Sequence, residues 1–207
     1  MKIVFAGCSI TKGAELTDFS MSYASLISKL LNANEINISQ SGVSNEIICK
    51  TIFEFFSRSN AEFAVIQVTS ILRFTFVYND EYTSIVPGLQ FYKPDPLIQS
   101  LKKHVYSSNT DNSRWYRLSR WKLLCIHHYL NSLGVKHIFT FKDEEDLNMF
   151  IEDDLVPEGF KKRCCNRGLI DYCKAEKLEF GPKGHPLENA HKQIAKQIIL
   201  PKMKELL

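Results

Sequence analysis

Short apolar runs rich in β-forming residues alternate along this chain with longer stretches whose apolar residues recur at helical spacing. The β-type runs cover residues 2–6, 36–38, 63–68 and 135–141, and the helical stretches cover residues 21–31, 46–57, 114–133 and 186–207. Strands that alternate with helices favour a parallel sheet covered by helices on both faces. The pattern therefore predicts an α/β fold, in which ligands bind at the carboxyl ends of the strands.

The length of the chain suits one domain. A domain of 207 residues buries enough surface to form a core without disulfides or metals. We expect residues 1–207 to form a single domain with an irregular insertion around residues 74–112, which contain three prolines and many aromatic residues. Loops of this length often act as lids. Residues 142–183 show little strand signal.

Charge and composition exclude several classes of partner. The 26 basic and 23 acidic side chains give a net charge of only +3, which does not indicate binding to nucleic acid or to an anionic membrane. Neither a secretory signal pattern nor an apolar run of membrane-spanning length is found.

The six cysteines lack the spacing of a disulfide framework or zinc site, so we interpret them as reduced thiols. We expect a cytoplasmic protein; the oligomeric state stays open.

Polar and glycine-containing turns follow the predicted strands. Residues 7–11 (GCSIT) follow the first strand, residues 41–45 (SGVSN) the second and residues 68–70 (VTS) the third, and residues 184–186 (GHP) precede the last helix. Because the carboxyl ends of parallel strands meet at one edge of a sheet, these segments are expected to lie together.

Two well-known loops do not fit the first turn. A phosphate loop requires G-x-x-x-x-G-K-[ST], whereas Lys12 precedes Gly13 and Ala14 follows it. A G-x-S-x-G elbow requires glycine two residues after the serine, where this chain has Thr11. The remaining candidates for a site are Ser9 after the first strand, Gly42 before a helix and His185 near the end of the chain.

A serine, a glycine and a histidine are the residue types that an acyl-transfer site requires. Ser9 becomes a nucleophile when an imidazole removes its proton, and His185 has the side chain for that task. The tetrahedral intermediate carries an oxyanion, for which the backbone amides of Gly42 and Ser9 are candidate donors.

The same residues resemble the SGNH, or GDSL-type, hydrolase family. Its first block, G-D-S-x-T/S, is similar to residues 7–11, its second-block glycine is similar to Gly42, and its last block, D-x-x-H-P, is similar to residues 182–186 (PKGHP). The resemblance covers both ends of the chain and leaves the middle unmatched.

The resemblance implies a three-layer α/β/α sandwich with flavodoxin-like topology that cleaves a carboxylic ester, such as an O-acetyl group on a carbohydrate. Ser9 would be the nucleophile, His185 the base and Gly42 an oxyanion-hole donor. The third block, G-x-N-D, is absent, which leaves Thr69 or Ser70 in place of its asparagine. The resemblance implies no metal or organic cofactor, and the expected partner is a small-molecule or carbohydrate ester.

Two departures leave alternatives open. Cys8 stands where the family has aspartate, and Pro182 stands where it has the aspartate that orients the histidine. The candidates to replace that acid are Glu179, Glu188 and Asp171; otherwise the chain works as a Ser–His dyad. The alternatives to a hydrolase are an O-acyltransferase that uses the same residues and a binding or structural module that has lost the chemistry.

Two further polar residues are candidates for binding the substrate. Arg73 follows the third strand, where its guanidinium can hold a carboxylate or phosphate of the substrate or form a surface ion pair. Asn45 begins a predicted helix, where it can contact substrate or cap the helix.

Overall fold

The computed structural model of the protein describes residues 1–78, 81–85 and 113–207. Its strands are β1 (Lys2–Ala6), β2 (Asn34–Asn37), β3 (Phe63–Val68), β4 (Phe74–Tyr78), β5 (Glu81–Ile85), β6 (Lys136–Phe141) and β7 (Cys164–Gly168). Five of them form a parallel sheet in the order β2-β1-β3-β6-β7, whereas β4 and β5 pair as an antiparallel hairpin.

Helices connect these strands and cover the sheet. They are α1 (Ser9–Lys12), α2 (Tyr23–Leu30), α3 (Asn45–Arg58), α4 (Ser113–Ser132), α5 (Glu144–Glu152), α6 (Glu158–Lys161), α7 (Leu169–Ala175), α8 (Glu188–Gln193) and α9 (Leu200–Lys204). A 3₁₀ turn at Phe19–Met21 precedes α2, and a π-helical segment at Ile194–Ile199 joins α8 to α9. The predicted last helix thus runs on through Pro201, whose missing amide lies just after the π-helical segment.

The core lies on both faces of the sheet. All six residues of β3 are buried, as expected for a central strand between two helical layers. Helices α3 and α4 pack together, with the rings of Phe53 and Tyr129 4.7 Å apart. Helix α2 packs against the C-terminal helices, where Tyr23 stacks on His191 at 5.8 Å. The predicted α/β/α sandwich is confirmed.

The strand register places the predicted site segments at one edge. Ala6, at the end of β1, is opposite Ile66 of β3, so the turns after both strands emerge side by side. The loop after β2 joins them, because the amide of Gln40 donates to the Gly7 carbonyl at 3.1 Å.

Several elements differ from the predicted ones. The second strand covers Asn34–Asn37 rather than residues 36–38. Residues 142–183 contain the edge strand β7, in which Cys164, Cys165 and Gly168 are buried. The polar residues Asn166 and Arg167 lie between the two cysteines and the glycine. Of the expected insertion, β4 and β5 form a hairpin, and residues 79–80 and 86–112 lie outside the described residues.

In the part of the chain that is described, no helix has the length and apolarity needed to cross a bilayer.

Candidate active site

The turn after β1 holds Ser9 at the start of α1. Gly7 is required there because a Cβ at this position would lie 2.2 Å from Thr11 Oγ1 and 2.7 Å from Gln67 Cβ. Gln67, fully buried in β3, accepts hydrogen bonds at Oε1 from the Cys8 amide at 3.1 Å and from the Thr11 hydroxyl at 2.9 Å. One side chain of the neighbouring strand therefore fixes the turn that carries Ser9.

Cys8 supports the turn and is in contact with Ser9. It is fully buried, and its thiol donates to Gln67 Oε1 at 3.1 Å. Ser9 Oγ lies 3.9 Å from Cys8 Sγ. Cys8, which stands where the family pattern has aspartate, is thus part of the protein interior.

Ser9 and His185, 176 positions apart in sequence, are in direct contact. Ser9 Oγ lies 2.9 Å from His185 Nε2, within the distance needed for proton transfer. On the other side of the ring, His185 Nδ1 lies 2.7 Å from Glu15 Oε2. A carboxylate only accepts hydrogen bonds, so Nδ1 carries the hydrogen and Nε2 is left to accept from the Ser9 hydroxyl.

The carboxylate next to His185 belongs to Glu15, which was not among the candidates predicted from the sequence. It lies in the turn after α1 with φ at +69°, and its side chain is 11% exposed. Besides the imidazole, its carboxylate accepts from the backbone amides of Lys183 at 2.9 Å and of His185 at 3.1 Å. Burial alone raises the pKa of Glu15, but these hydrogen bonds and the nearby imidazole together lower it below the usual value.

The carboxylates expected beside His185 lie elsewhere. Glu188 Oε1 accepts from the Thr17 amide at 3.2 Å and from its hydroxyl at 2.8 Å. Asp171 Oδ2 accepts from the Glu144 amide at 2.6 Å. Glu179 is exposed. The expectation that one of these three acids faces the histidine is therefore wrong, because the carboxylate beside the ring belongs to Glu15 in the turn after α1.

The loop before His185 is shaped around the Glu15 carboxylate. A Cβ on Gly181 would lie 2.8 Å from the carboxyl carbon of Glu15, so only glycine leaves room for it. The Gly181 amide donates to the His185 carbonyl at 2.8 Å, and Gly184 closes the turn with φ at +80°. No sequence motif relates Glu15 to Gly181, since their proximity depends on how the two loops fold together.

The two backbone amides expected to act as oxyanion donors belong to Gly42 and Ser9. Among the described residues, neither the Gly42 amide nor the Ser9 amide has a hydrogen-bond partner. Gly42 has φ at +77°, a left-handed conformation that favours glycine, and a Cβ there would meet no atom within 4 Å. Both amides can donate to a bound oxyanion.

Thr69 and Asn45 bind each other rather than a substrate. Asn45 Oδ1 accepts from the Thr69 amide at 2.9 Å, and Asn45 Nδ2 donates to the Thr69 carbonyl at 3.0 Å. Both residues are buried, with Asn45 only 2% exposed. The expected substrate contact of Asn45 is wrong, and so is the helix-cap alternative, because Ser44 occupies the cap position of α3. Thr69 is fully buried, and its hydroxyl has no hydrogen-bond partner among the residues that the structure describes, so its role as an oxyanion donor stays a prediction.

Ser70 and Arg73 lie at the edge of the sheet after β3. Ser70 Oγ accepts weakly from the Leu72 amide at 3.4 Å, and its hydroxyl hydrogen has no acceptor among residues 1–78, 81–85 and 113–207. Arg73 is half-buried and donates from Nη1 to the Val43 carbonyl at 3.0 Å. Within the described ranges, no carboxylate forms an ion pair with Arg73, so the expected alternative of a surface ion pair is not observed there.

The other titratable side chains lie apart from these groups. Cys164, Cys165 and Cys173 are buried free thiols, and burial raises the pKa of each. His191 packs on Tyr23 and accepts from its amide at 3.1 Å. In the described segments, no three acid, histidine or cysteine side chains are grouped so that they could hold a metal ion.

Known structures resemble the whole chain, although no family model and no curated sequence matches it. TesA superimposes with a TM-score of 0.66 at 12% identity, covering 100% of both chains. The psychrotrophic esterase EstA from Pseudoalteromonas sp. gives 0.59 at 9% identity, covering 99% of this chain and 97% of EstA. The acetyl xylan esterase AlAXEase gives 0.52 at 13% identity, covering 100% of both. At such identities the likeness concerns the fold: the chain has the α/β/α fold of the SGNH, or GDSL-type, hydrolases.

Proposed function

We propose that the protein hydrolyses carboxylic esters through Ser9, His185 and Glu15. The observation that carries the proposal is the continuous chain of contacts from the Ser9 hydroxyl through the imidazole to the Glu15 carboxylate, at 2.9 Å and 2.7 Å. A binding module that had lost the chemistry would have no need to keep these three groups aligned at the carboxyl edge of the sheet.

In the first half of the reaction, His185 Nε2 removes the proton of Ser9 as Oγ attacks the ester carbonyl. The carbonyl oxygen becomes an oxyanion, which the amides of Gly42 and Ser9 stabilise, with the Ser70 hydroxyl as a candidate third donor. His185 then gives its proton to the leaving alcohol, and an acyl group remains on Ser9.

In the second half, water replaces the alcohol. His185 takes a proton from the water as its oxygen attacks the acyl carbonyl. His185 then gives that proton to Ser9 Oγ as the bond between Oγ and the acyl carbon breaks, which releases the carboxylic acid and restores Ser9. Glu15 touches no reacting atom. It holds the imidazole in the tautomer that presents Nε2 to Ser9, and it stabilises the positive charge that the ring carries in between.

Glu15 suits that role because it stays ionised. Its pKa lies below the usual value, with backbone amides of Lys183 and His185 among its hydrogen-bond donors. A fixed negative charge next to Nδ1 favours the imidazolium that forms when Nε2 takes the serine proton. The proposed substrate is a small-molecule or carbohydrate ester, such as an O-acetyl group, in keeping with the esterases among the proteins of similar fold.

A fluorophosphonate probe and 4-nitrophenyl acetate test the proposal. The probe should label the native protein on Ser9 between pH 6 and 9, and Ser9→Ala should lose both labelling and turnover. Ser57→Ala is the matched control, since its exposed hydroxyl only donates to the Glu54 carbonyl on α3. Absence of labelling and of turnover in the native protein across that range would show that the site is not a hydrolase.

A further inference from the structure

Arg73 lies at the edge of the sheet that carries the proposed oxyanion donors. The short turn after β3 places it there, with its amide donating to the Ser70 carbonyl at 3.1 Å. Its Nη1 donates to the carbonyl of Val43 at 3.0 Å, and Val43 directly follows Gly42. The guanidinium is thus attached to the same loop as the Gly42 amide.

The covalent path limits how far apart these groups are. Two residues of chain extend over no more than about 7 Å, so Arg73 Nη1 lies within roughly 10 Å of the Gly42 amide. A substrate whose carbonyl oxygen is bound at Gly42 therefore has to extend over no more than about 10 Å for a second group to reach the guanidinium.

Within the described part of the chain, the guanidinium has N–H donors without an acceptor. It carries five N–H donors, and the Val43 carbonyl accepts one of them. None of the ion pairs found among the described residues involves Arg73. Arg73 is half-buried, lies next to a carbonyl and has no carboxylate partner in residues 1–78, 81–85 and 113–207. A guanidinium in this setting is suited to bind a planar oxyanion of a ligand.

We propose that Arg73 binds a carboxylate on the substrate, so that the favoured substrates are short esters that also carry a carboxylate. The inference rests on the proposed ester hydrolysis and narrows its substrate class. The carboxylate can belong to the acyl part or to the alcohol part, and the guanidinium binds the same group in either case.

Two matched pairs of esters separate these sources. For the acyl side, mono(4-nitrophenyl) glutarate is compared with 4-nitrophenyl valerate. For the alcohol side, 4-acetoxybenzoate is compared with its methyl ester. In the native protein, kcat/KM should be at least about ten-fold higher for the charged member of one pair, as expected for a charge-assisted hydrogen-bonded contact.

Substitutions assign that preference to one side chain. Arg73→Gln should abolish it while changing kcat/KM for the neutral ester much less, and Arg73→Lys should keep part of it. Arg58→Gln, at the far end of α3, removes the same charge and should keep the preference. Equal rates within both pairs in the native protein would overturn the proposal, and so would a preference that survives in Arg73→Gln.

A binding measurement keeps this result distinct from failure of ester hydrolysis. Glutarate is titrated by calorimetry into Ser9→Ala, with and without Arg73→Gln. Binding that depends on Arg73 supports the carboxylate site even if neither ester pair is cleaved. Absence of glutarate binding to Ser9→Ala, together with absence of any charge preference in turnover, contradicts it.

Discussion

Glu15 accepts hydrogen bonds from both the backbone and the side chain of His185, a residue 170 positions later in the chain. The carboxylate thus orients the imidazole and also holds the loop that carries it. In the family pattern, an aspartate three residues before the histidine does the orienting. In this chain a glutamate from the turn after Ser9 contacts the ring instead, so residues from both ends of the sequence form the proposed site.

Replacing Glu15 tests that assignment. Glu15→Gln keeps the shape of the side chain but loses the charge and can fix the wrong imidazole tautomer, so kcat for 4-nitrophenyl acetate should fall by about 10²–10⁴-fold. KM should change little, because Glu15 touches no substrate atom. Glu54→Gln, an exposed acid paired with Lys50, is the control. An unchanged kcat in Glu15→Gln would mean that Ser9 and His185 work as a dyad.

Gly181 tests the same contact from the other side. In Gly181→Ala the new methyl group would lie 2.8 Å from the carboxyl carbon of Glu15, and the flexible glutamate is the group that can move. We expect a folded protein with kcat lowered at least about ten-fold. Gly159→Ala is the control, because its Cβ would meet His127 Nε2 at an ordinary 3.8 Å.

Steady-state kinetics and thermal unfolding separate the two possible effects of Gly181→Ala. Loss of turnover with an unfolding temperature close to that of the native protein supports a positioning role. Equal loss of turnover in Gly159→Ala, or full activity in Gly181→Ala, would remove the argument for Gly181.

Gln67 should matter for stability and for turnover together. Gln67→Leu leaves the buried Cys8 amide without its acceptor and removes one partner of the Thr11 hydroxyl. An unsatisfied buried polar group costs about 1–3 kcal/mol, so urea unfolding should show a loss of that order, and kcat should drop because the Ser9 turn loosens. Unchanged stability in Gln67→Leu would show that the turn does not depend on this side chain.

The pair His127 and His137 predicts how stability depends on pH. Their rings contact through His127 Nδ1 and His137 Nε2 at 2.8 Å, and His137 Nδ1 donates to the Val135 carbonyl at 2.9 Å. Burial lowers the pKa of each to about 4. The unfolded chain, with histidine pKa values near 6.5, therefore binds more protons between about pH 6.5 and 4.

Stability should consequently fall as the pH drops through that window and level off, for these groups, below it. Buried His191, whose pKa burial also lowers to about 4, adds to the same trend. The free energy of unfolding is measured in urea from pH 7.5 to 4.5 for the native protein and for His127→Phe/His137→Leu. The double variant should show a weaker pH dependence, and an identical slope would contradict the account.

Short local motifs were enough to predict that Ser9 and His185 lie together, and the structure places them 2.9 Å apart. The role of Gly42 stays a prediction. Glu15 could not be found in this way, because its role depends on two loops meeting in space. The predicted substrate contact of Asn45 failed because sequence does not show that its amide group binds the backbone of Thr69 inside the protein.

The same limit applies to the fold. The central strand β3 is buried throughout and consists largely of apolar residues, and it covers the predicted residues 63–68. The edge strand β7 buries only some of its residues and contains Asn166 and Arg167, so its pattern does not stand out. The hairpin of β4 and β5 lies outside the central sheet and follows no α/β alternation.

The rate at which a fluorophosphonate forms an adduct on Ser9, located by peptide mass spectrometry, tests the central claim most directly. The native protein should form one adduct on the peptide that contains Ser9, and the rate should fall at least about ten-fold in Glu15→Gln and further in His185→Ala. An adduct on a different residue, or a Ser9 adduct whose rate is the same in all three proteins, would contradict the proposed Ser9–His185–Glu15 chain.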